Sequence, residues 1–252
     1  MNRYNIHRSI LILLIALPVL AGSAFGQSEE KLMLQHHHDD QSGDTEKSKH
    51  QSHDDHKHAG HMHHRFEKAE EWAERFEKPE RDEWQKPDEV IRFLNLNHDD
   101  KIADIGSATG YFPVRLARAV PNGFVWGMDI EPDMVRYLNE RAKKEGLKNL
   151  ESRPCTESDA AIPEPVDVIF MCNTYHHVGH RIDYFSRLKK DLRKGGRLVM
   201  IDFLPGDLPE GPPAKHKIPP MTVVYELTKA GYRPTDSFVG LPYQFLYVFE
   251  SE

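Results

Sequence analysis

The stretch Val166–Cys172 is apolar at every position except Asp167. Such a run suits a strand buried on both faces, which occurs where helices cover both sides of a parallel sheet. The chain around it has the alternation that this architecture requires. Lys101–Ile105 and residues 124–130, 150–155 and 197–203 read as further strands. Between them lie a helix through Phe112, Leu116 and Ala119, and one opened by Pro132 with Met134, Leu138 and Ala142 inward. Residues 182–192 and 221–230 read as two more helices, the first leading to Gly195-Gly196. Successive strand–helix units predict an α/β fold with a doubly wound parallel sheet. Residues 236–240 and 244–250 are strands joined by a short turn, so one of them runs antiparallel.

Upstream, Phe66, Ala69, Trp72, Ala73 and Phe76 recur at helical spacing until Pro79. A short helix begins near Pro87-Asp88, with Val90, Ile91 and Leu94 on one face. No internal repeat is present. Residues 65–252 form one domain, with 65–98 as a helical lid and 99–252 as the core.

The first 64 residues carry most of the compositional bias. Arg3 and Arg8 precede an apolar run over residues 10–20, and Ala24 and Gly26 place small residues before Gln27. This pattern predicts a cleaved signal peptide over 1–26 and an exported protein, periplasmic or secreted. The apolar run is too short for a membrane span, which takes about 20 residues. Residues 27–64 hold ten histidines and few large apolar side chains, so they are expected to form a disordered linker. His36, His37 and His38, followed by His56, His58, His61, His63 and His64, lie beside aspartates and can bind zinc, copper or nickel weakly. Their spacing defines no fixed ligand set. The formal charge of −7, made more acidic by loss of the two leader arginines, argues against a nucleic-acid binder.

The chemistry is concentrated after the first two strands. Asp104-Ile105-Gly106-Ser107-Ala108-Thr109-Gly110 lies between a strand and a helix, and Asp129 ends the next strand nineteen residues after Gly110. Glycines allow close backbone approach, and a carboxylate at the second strand end can accept from ribose hydroxyls. Two ligand classes use such a layout. A nicotinamide dinucleotide requires G-x-G-x-x-G, which is absent, and an acid at Asp104 would repel its diphosphate. The same acid suits the cationic amino-acid end of S-adenosylmethionine. A tight turn without a ligand is the remaining reading.

Together with Gly127-Met128-Asp129 and Gly195-Gly196-Arg197-Leu198, this turn resembles a class I S-adenosylmethionine-dependent methyltransferase over about residues 66–250. The resemblance extends to a small-molecule-type branch through the segment from Pro79 to Pro87, Asn173-Thr174-Tyr175-His176-His177 and Lys215-His216-Lys217. It implies a seven-stranded Rossmann-like sheet of order 3-2-1-4-5-7-6 with strand seven antiparallel. It also implies S-adenosyl-L-methionine as cofactor and a small-molecule acceptor. By position, Asp104, Gly106, Ser107 and Gly110 would hold the methionine part, and Asp129 and Ile130 the ribose side. Asp159 would lie near the adenine and Asn173 near the transferring methyl. Ala108 departs from the family's middle glycine. In this strand order Cys155 and Cys172 are three strand spacings of about 4.8 Å apart. That exceeds the Cα limit of about 7 Å for a disulfide, so two free thiols are expected.

Methyl transfer needs alignment and exclusion of water, with a base only if the acceptor arrives protonated. His176, followed by His177 and His180, is the preferred base candidate, because an unperturbed imidazole titrates near neutrality. Tyr175 and Trp84 could wall the sulfonium or simply pack in the core. Gln85 and His216 are candidates for the lid and acceptor border, as is His177. Each histidine also has a plain reading as a surface or helix-start residue. A second function remains: a non-catalytic exported metal-binding protein, using the histidine tract on a methyltransferase-like scaffold. The tension that feeds it is that the methyl donor is made in the cytosol, whereas this chain carries an export signal.

Overall fold

A computed structural model describes residues 68–252. The signal peptide, the histidine tract and the helix onset at Phe66 lie outside the described residues. Three short helices come first: α1 (Ala69–Phe76), α2 (Glu80–Gln85) and α3 (Pro87–Leu94). The alternating part then runs β1 (Lys101–Ile105), α4 (Pro113–Ala119), β2 (Phe124–Asp129), α5 (Pro132–Lys144), β3 (Leu150–Pro154) and β4 (Val166–Cys172). It closes with α6 (Arg181–Leu188), β5 (Leu192–Phe203), α7 (Pro220–Lys229), β6 (Tyr232–Phe238) and β7 (Gln244–Ser251). The strands form one sheet of order β3-β2-β1-β4-β5-β7-β6, and β7 is antiparallel to both its neighbours.

Alternation along each strand feeds two apolar layers. Ile102, Val125, Val168, Phe170 and Val199 pack under α3, α4 and α5, against side chains such as Leu94, Leu116 and Leu138. Ala103, Met128, Ile169, Met171 and Met200 face the other way, under α6 and α7, against Phe185, Leu188, Val223 and Leu227. Met134, Leu138 and Ala142 are the inward residues of α5, as the helical spacing predicts. Cys155 and Cys172 are free thiols.

Three boundaries differ from the sequence reading. Glu80–Gln85 forms a helix of its own between two prolines, too short to show a period. The helix expected over 182–192 stops at Leu188, and Leu192 already pairs with Val166. A register shift between Val166 and Val168 takes Gly195-Gly196 into β5, where an added Cβ at Gly196 would press on Arg193 O. β6 begins at Tyr232 and contains Pro234, which an edge strand tolerates because one side of it needs no ladder donor.

Close backbone approach shapes the turn after β1. Gly106 has φ 77°, and a Cβ there would lie 2.2 Å from Thr174 Oγ1. Gly127, beside Asp104 on the neighbouring strand, would bring a Cβ within 2.7 Å of Leu138 Cδ2 and 2.9 Å of Ser107 Oγ. Gly127→Ala should therefore overpack this junction and cost about 1–3 kcal/mol of stability in urea unfolding.

Candidate active site

Parallel strands collect their loops at the carboxyl edge of the sheet, so the ends of β1, β2, β4 and β5 share one rim. Asp104 of β1 is 3% exposed, and its carboxylate makes no hydrogen bond with any described residue. Burial first, and then the negative charge of Asp129, push its pKa well above the usual carboxylate range, with Arg81 opposing. An enclosed carboxylate without a donor is a costly arrangement for the protein alone.

Four backbone amides of the turn beyond it are bonded within the protein. Gly106 N donates to Met128 O at 2.8 Å and Ser107 N to the same oxygen at 3.3 Å. Gly110 N donates to Ser107 O at 3.0 Å, and Ala108 N to Asp129 Oδ2 at 2.8 Å. Helix α4 then starts with Pro113, which has no N–H. A diphosphate needs a cluster of free amides, whereas four amides of this turn already have acceptors. Ala108, the departure from the family pattern, sits at φ 45°, a conformation that glycine would adopt without steric cost.

Asp129 ends β2, and its second oxygen accepts Glu131 N at 3.0 Å. Burial raises its pKa, while these backbone N–H bonds oppose the shift. Beside it Ile130 is 49% exposed, unusual for a large apolar side chain. Asp159 lies exposed on the loop after β3, with one oxygen accepting Ala161 N at 2.9 Å. Ser107 turns its buried hydroxyl towards Gly127 and leaves it without a partner. The side chain packs between the turn and β2.

A chain of amides crosses the rim. Arg81 Nε donates to Gln85 Oε1 at 2.7 Å, and the fully buried Gln85 donates to Gln244 Oε1 at 2.7 Å and to Cys172 Sγ at 3.0 Å. Gln244 Nε2 in turn donates to Asn173 Oδ1. Because arginine can only donate, the direction of every amide in the chain follows. Asn173 is left with its NH2 group outward and no partner among the described residues. Trp84, on the same helix as Gln85, rests against Phe203 and Tyr243 with ring centroids 5.8 and 6.2 Å away.

His176 is held by an acid that the sequence reading missed. Asp202, near the end of β5, has both oxygens 3.0 Å from His176 Nδ1 and accepts the backbone N–H of Phe203 at 2.8 Å and of His176 at 3.3 Å. The two side chains are 5% and 2% exposed. A carboxylate at this distance favours the tautomer with its proton on Nδ1, in which Nε2 carries the lone pair. The exposed His177 ring lies tilted against His176, with centroids 4.2 Å apart. Asp202 did carry a signal, an acid near the end of an apolar strand, as at Asp104 and Asp129. Gln244 carried none.

Two expectations are moved elsewhere. Tyr175 is fully buried, stacks on Phe185 at 5.4 Å and gives its hydroxyl to Glu226 at 2.5 Å. It ties the loop after β4 to α6 and α7 and is not a wall of the rim. His216 is exposed on a short turn, whereas its neighbour Lys217 points inward and donates to Gly206 O at 2.7 Å. Among the described residues no group of three or more histidines, cysteines or acids is placed to hold a metal. No described helix is long and apolar enough to cross a membrane.

Asp104→Asn removes a buried charge without changing shape. The raised pKa means that the wild-type fold binds a proton more readily than the unfolded chain, so this residue costs stability as pH rises through that value. The asparagine variant should melt higher than wild type at pH 8, and the gap should close as pH falls. A constant gap between pH 8 and pH 5 in thermal melts would contradict the assignment.

The family model described as "Methyltransferase domain" matches residues 96–229, more than half of the chain. A 27-O-demethylrifamycin SV methyltransferase of Amycolatopsis mediterranei is 30% identical over 129 residues, which are 49% of this chain and 46% of that protein. An erythromycin 3''-O-methyltransferase of Saccharopolyspora erythraea is 25% identical over 131 residues, 50% of this chain and 43% of that one. The chain thus spans about half the length of the curated relatives it matches. A SAM-dependent methyltransferase structure from Aquifex aeolicus superposes with a TM-score of 0.66 at 27% identity, covering 71% of this chain and 96% of the other. The strand order, the turn after β1 and the family match agree: this chain belongs to the methyltransferase domain family.

Proposed function

We propose that the protein transfers a methyl group from S-adenosylmethionine to a small molecule whose nucleophile arrives protonated, such as a hydroxyl. The observation that carries the reading is the unpaired, buried carboxylate of Asp104. It favours a cationic ligand at the end of β1, and its negative charge would repel a diphosphate there. The donor fits the rim residue by residue. Asp104 would take the ammonium, and Asp129 keeps lone pairs on both oxygens for ribose hydroxyls. Ile130 offers an exposed apolar face to the adenine, and Asp159 retains acceptor capacity near its edge. Asn173 points N–H donors outward towards an acceptor or donor oxygen.

When bound, the donor supplies an electrophilic methyl on a sulfonium. The protein's part is alignment, dryness and proton handling. Trp84, Phe203 and Tyr243 form an aromatic group beside the end of β5 that would limit water. His176, its ring fixed by Asp202, would receive the acceptor's proton at Nε2. The named activities of the two curated relatives, both O-methyl transfers to small molecules, support an oxygen acceptor.

Calorimetric titration of the full chain should show binding of S-adenosylmethionine and S-adenosylhomocysteine but not NAD, and Asp104→Ala should abolish it. Transfer of a labelled methyl to a panel of phenols, alcohols, amines and thiols should favour hydroxyls. His176→Gln should then lower turnover by about 100-fold or more with donor affinity retained. Unchanged donor binding in Asp104→Ala would sink the site.

Export is part of the proposal, supported by Arg3, Arg8 and the apolar run that follows. The exported form should begin at Gln27 by intact mass. The tract from His36 to His64 would hold zinc, copper or nickel as an appendage to the enzyme. The reading in which metal capture is the whole function gives no reason for an unpaired Asp104.

A further inference from the structure

Between β5 and α7, residues 204–219 are exposed or half-buried with one exception, Lys217, which is 7% exposed. The short turn over Ala214–His216 sets its backbone, with Lys217 N donating to Ala214 O at 3.2 Å. Its Nζ donates to Gly206 O at 2.7 Å and lies 6.0 Å from the centre of the Phe203 ring. No carboxylate among the described residues pairs with it. Asp207, next to Gly206, and Glu210 are acids of the same loop, and both are exposed. An ammonium has three donors, of which one is used here. Lysine is seldom buried unless paired, because a neutral carbonyl and a ring face offset only part of the cost of enclosing a charge.

The ring beside this lysine belongs to the rim. Phe203 is 4% exposed, Trp84 lies 5.8 Å from it, and Tyr243 lies 6.2 Å from Trp84. The loop returns against the same ring at Gly211, where a Cβ would come within 2.6 Å of Phe203 Cδ1. The backbone N–H of Phe203 donates at 2.8 Å to Asp202, the acid that holds His176. One strand end therefore carries both the partner of the imidazole and the ring under the ammonium. An imidazole lone pair and a fixed cation on one strand end match a substrate that has a proton to lose and a separate negative charge.

We propose that Lys217 pairs with an anionic group of the methyl acceptor, so that the substrate is a hydroxy acid. Its carboxylate would take the two unused N–H donors of Lys217, a charge-assisted pair, and its apolar body would lie against Trp84 and Tyr243. The hydroxyl is then the methylated group and the product a methyl ether. This rests on the methyl-transfer reading above and adds to it the charge of the acceptor.

The test pairs hydroxybenzoates, hydroxyphenylacetates and aliphatic hydroxy acids with their neutral amides, which keep the hydroxyl and the shape but not the charge. Each is supplied with S-adenosylmethionine to the full chain and to its Lys217→Met and Lys217→Arg variants, and methyl ether is measured. In wild type the best acid should exceed its amide in kcat/KM by about 10-fold or more. Lys217→Met should raise KM for that acid and bring acid and amide within about twofold of each other, and Lys217→Arg should restore part of the preference. A wild type that treats acids and amides alike, or methylates none of the acids, would overturn the proposal, and so would a methyl ester as product. Equal loss on acid and amide in Lys217→Met would overturn it too, because the lysine would then serve only to tie down the loop. Titration of wild type with S-adenosylmethionine separates the two readings: no donor binding would remove the methyl-transfer reading and this inference with it, whereas donor binding without an acid preference removes this inference alone.

Discussion

A carboxylate buried at the end of a central strand with no donor among the described residues is unfavourable, and the side chains around it on the rim set its charge. Burial and the charge of nearby Asp129 make ionisation of Asp104 harder, and the charge of Arg81 opposes them. Stability alone would replace it with an apolar or amide side chain. Under the proposed function a ligand cation would offset that cost at the moment of binding.

The three N-terminal helices hold that arrangement in place. Asp133 of α5 caps α1 by accepting Ala69 N at 2.6 Å, and Glu77 reaches both Thr109 in the turn and Arg141 on α5. Asp82 accepts from Tyr111 and Arg115, and Gln85 is buried against Cys172 and Gln244. The segment is thus bonded to the turn after β1 at several points, and it brings Arg81 to the rim.

On the acceptor side the same economy of backbone and side chain recurs. The rim residues of β5 divide the work: Asp202 fixes the His176 ring, and Phe203 presents an aromatic face to Trp84. Tyr175, between Asn173 and His176 in sequence, turns into the core because its hydroxyl finds Glu226, itself held by Arg181 at 2.6 Å. Neighbouring residues of one loop therefore serve opposite layers, which spacing in the chain alone does not reveal.

The order of strands and helices, the two-faced core and the gathering of Asp104, Gly106, Gly110 and Asp129 at the ends of β1 and β2 were legible in the chain. Those features depend on local periodicity and on residue types that few other roles can use. Side-chain direction was not legible. That Ser107 packs on Gly127, that Tyr175 belongs to α6 and α7, and that Asp202 orients His176 all depend on partners 20 to 51 residues away. Gln85 to Gln244 spans 159 positions. Sequence determines which groups can be charged, small or apolar at a strand end. Only the closing of the sheet decides which of them meet, because hydrogen bonds between distant residues form only once the strands have set their register.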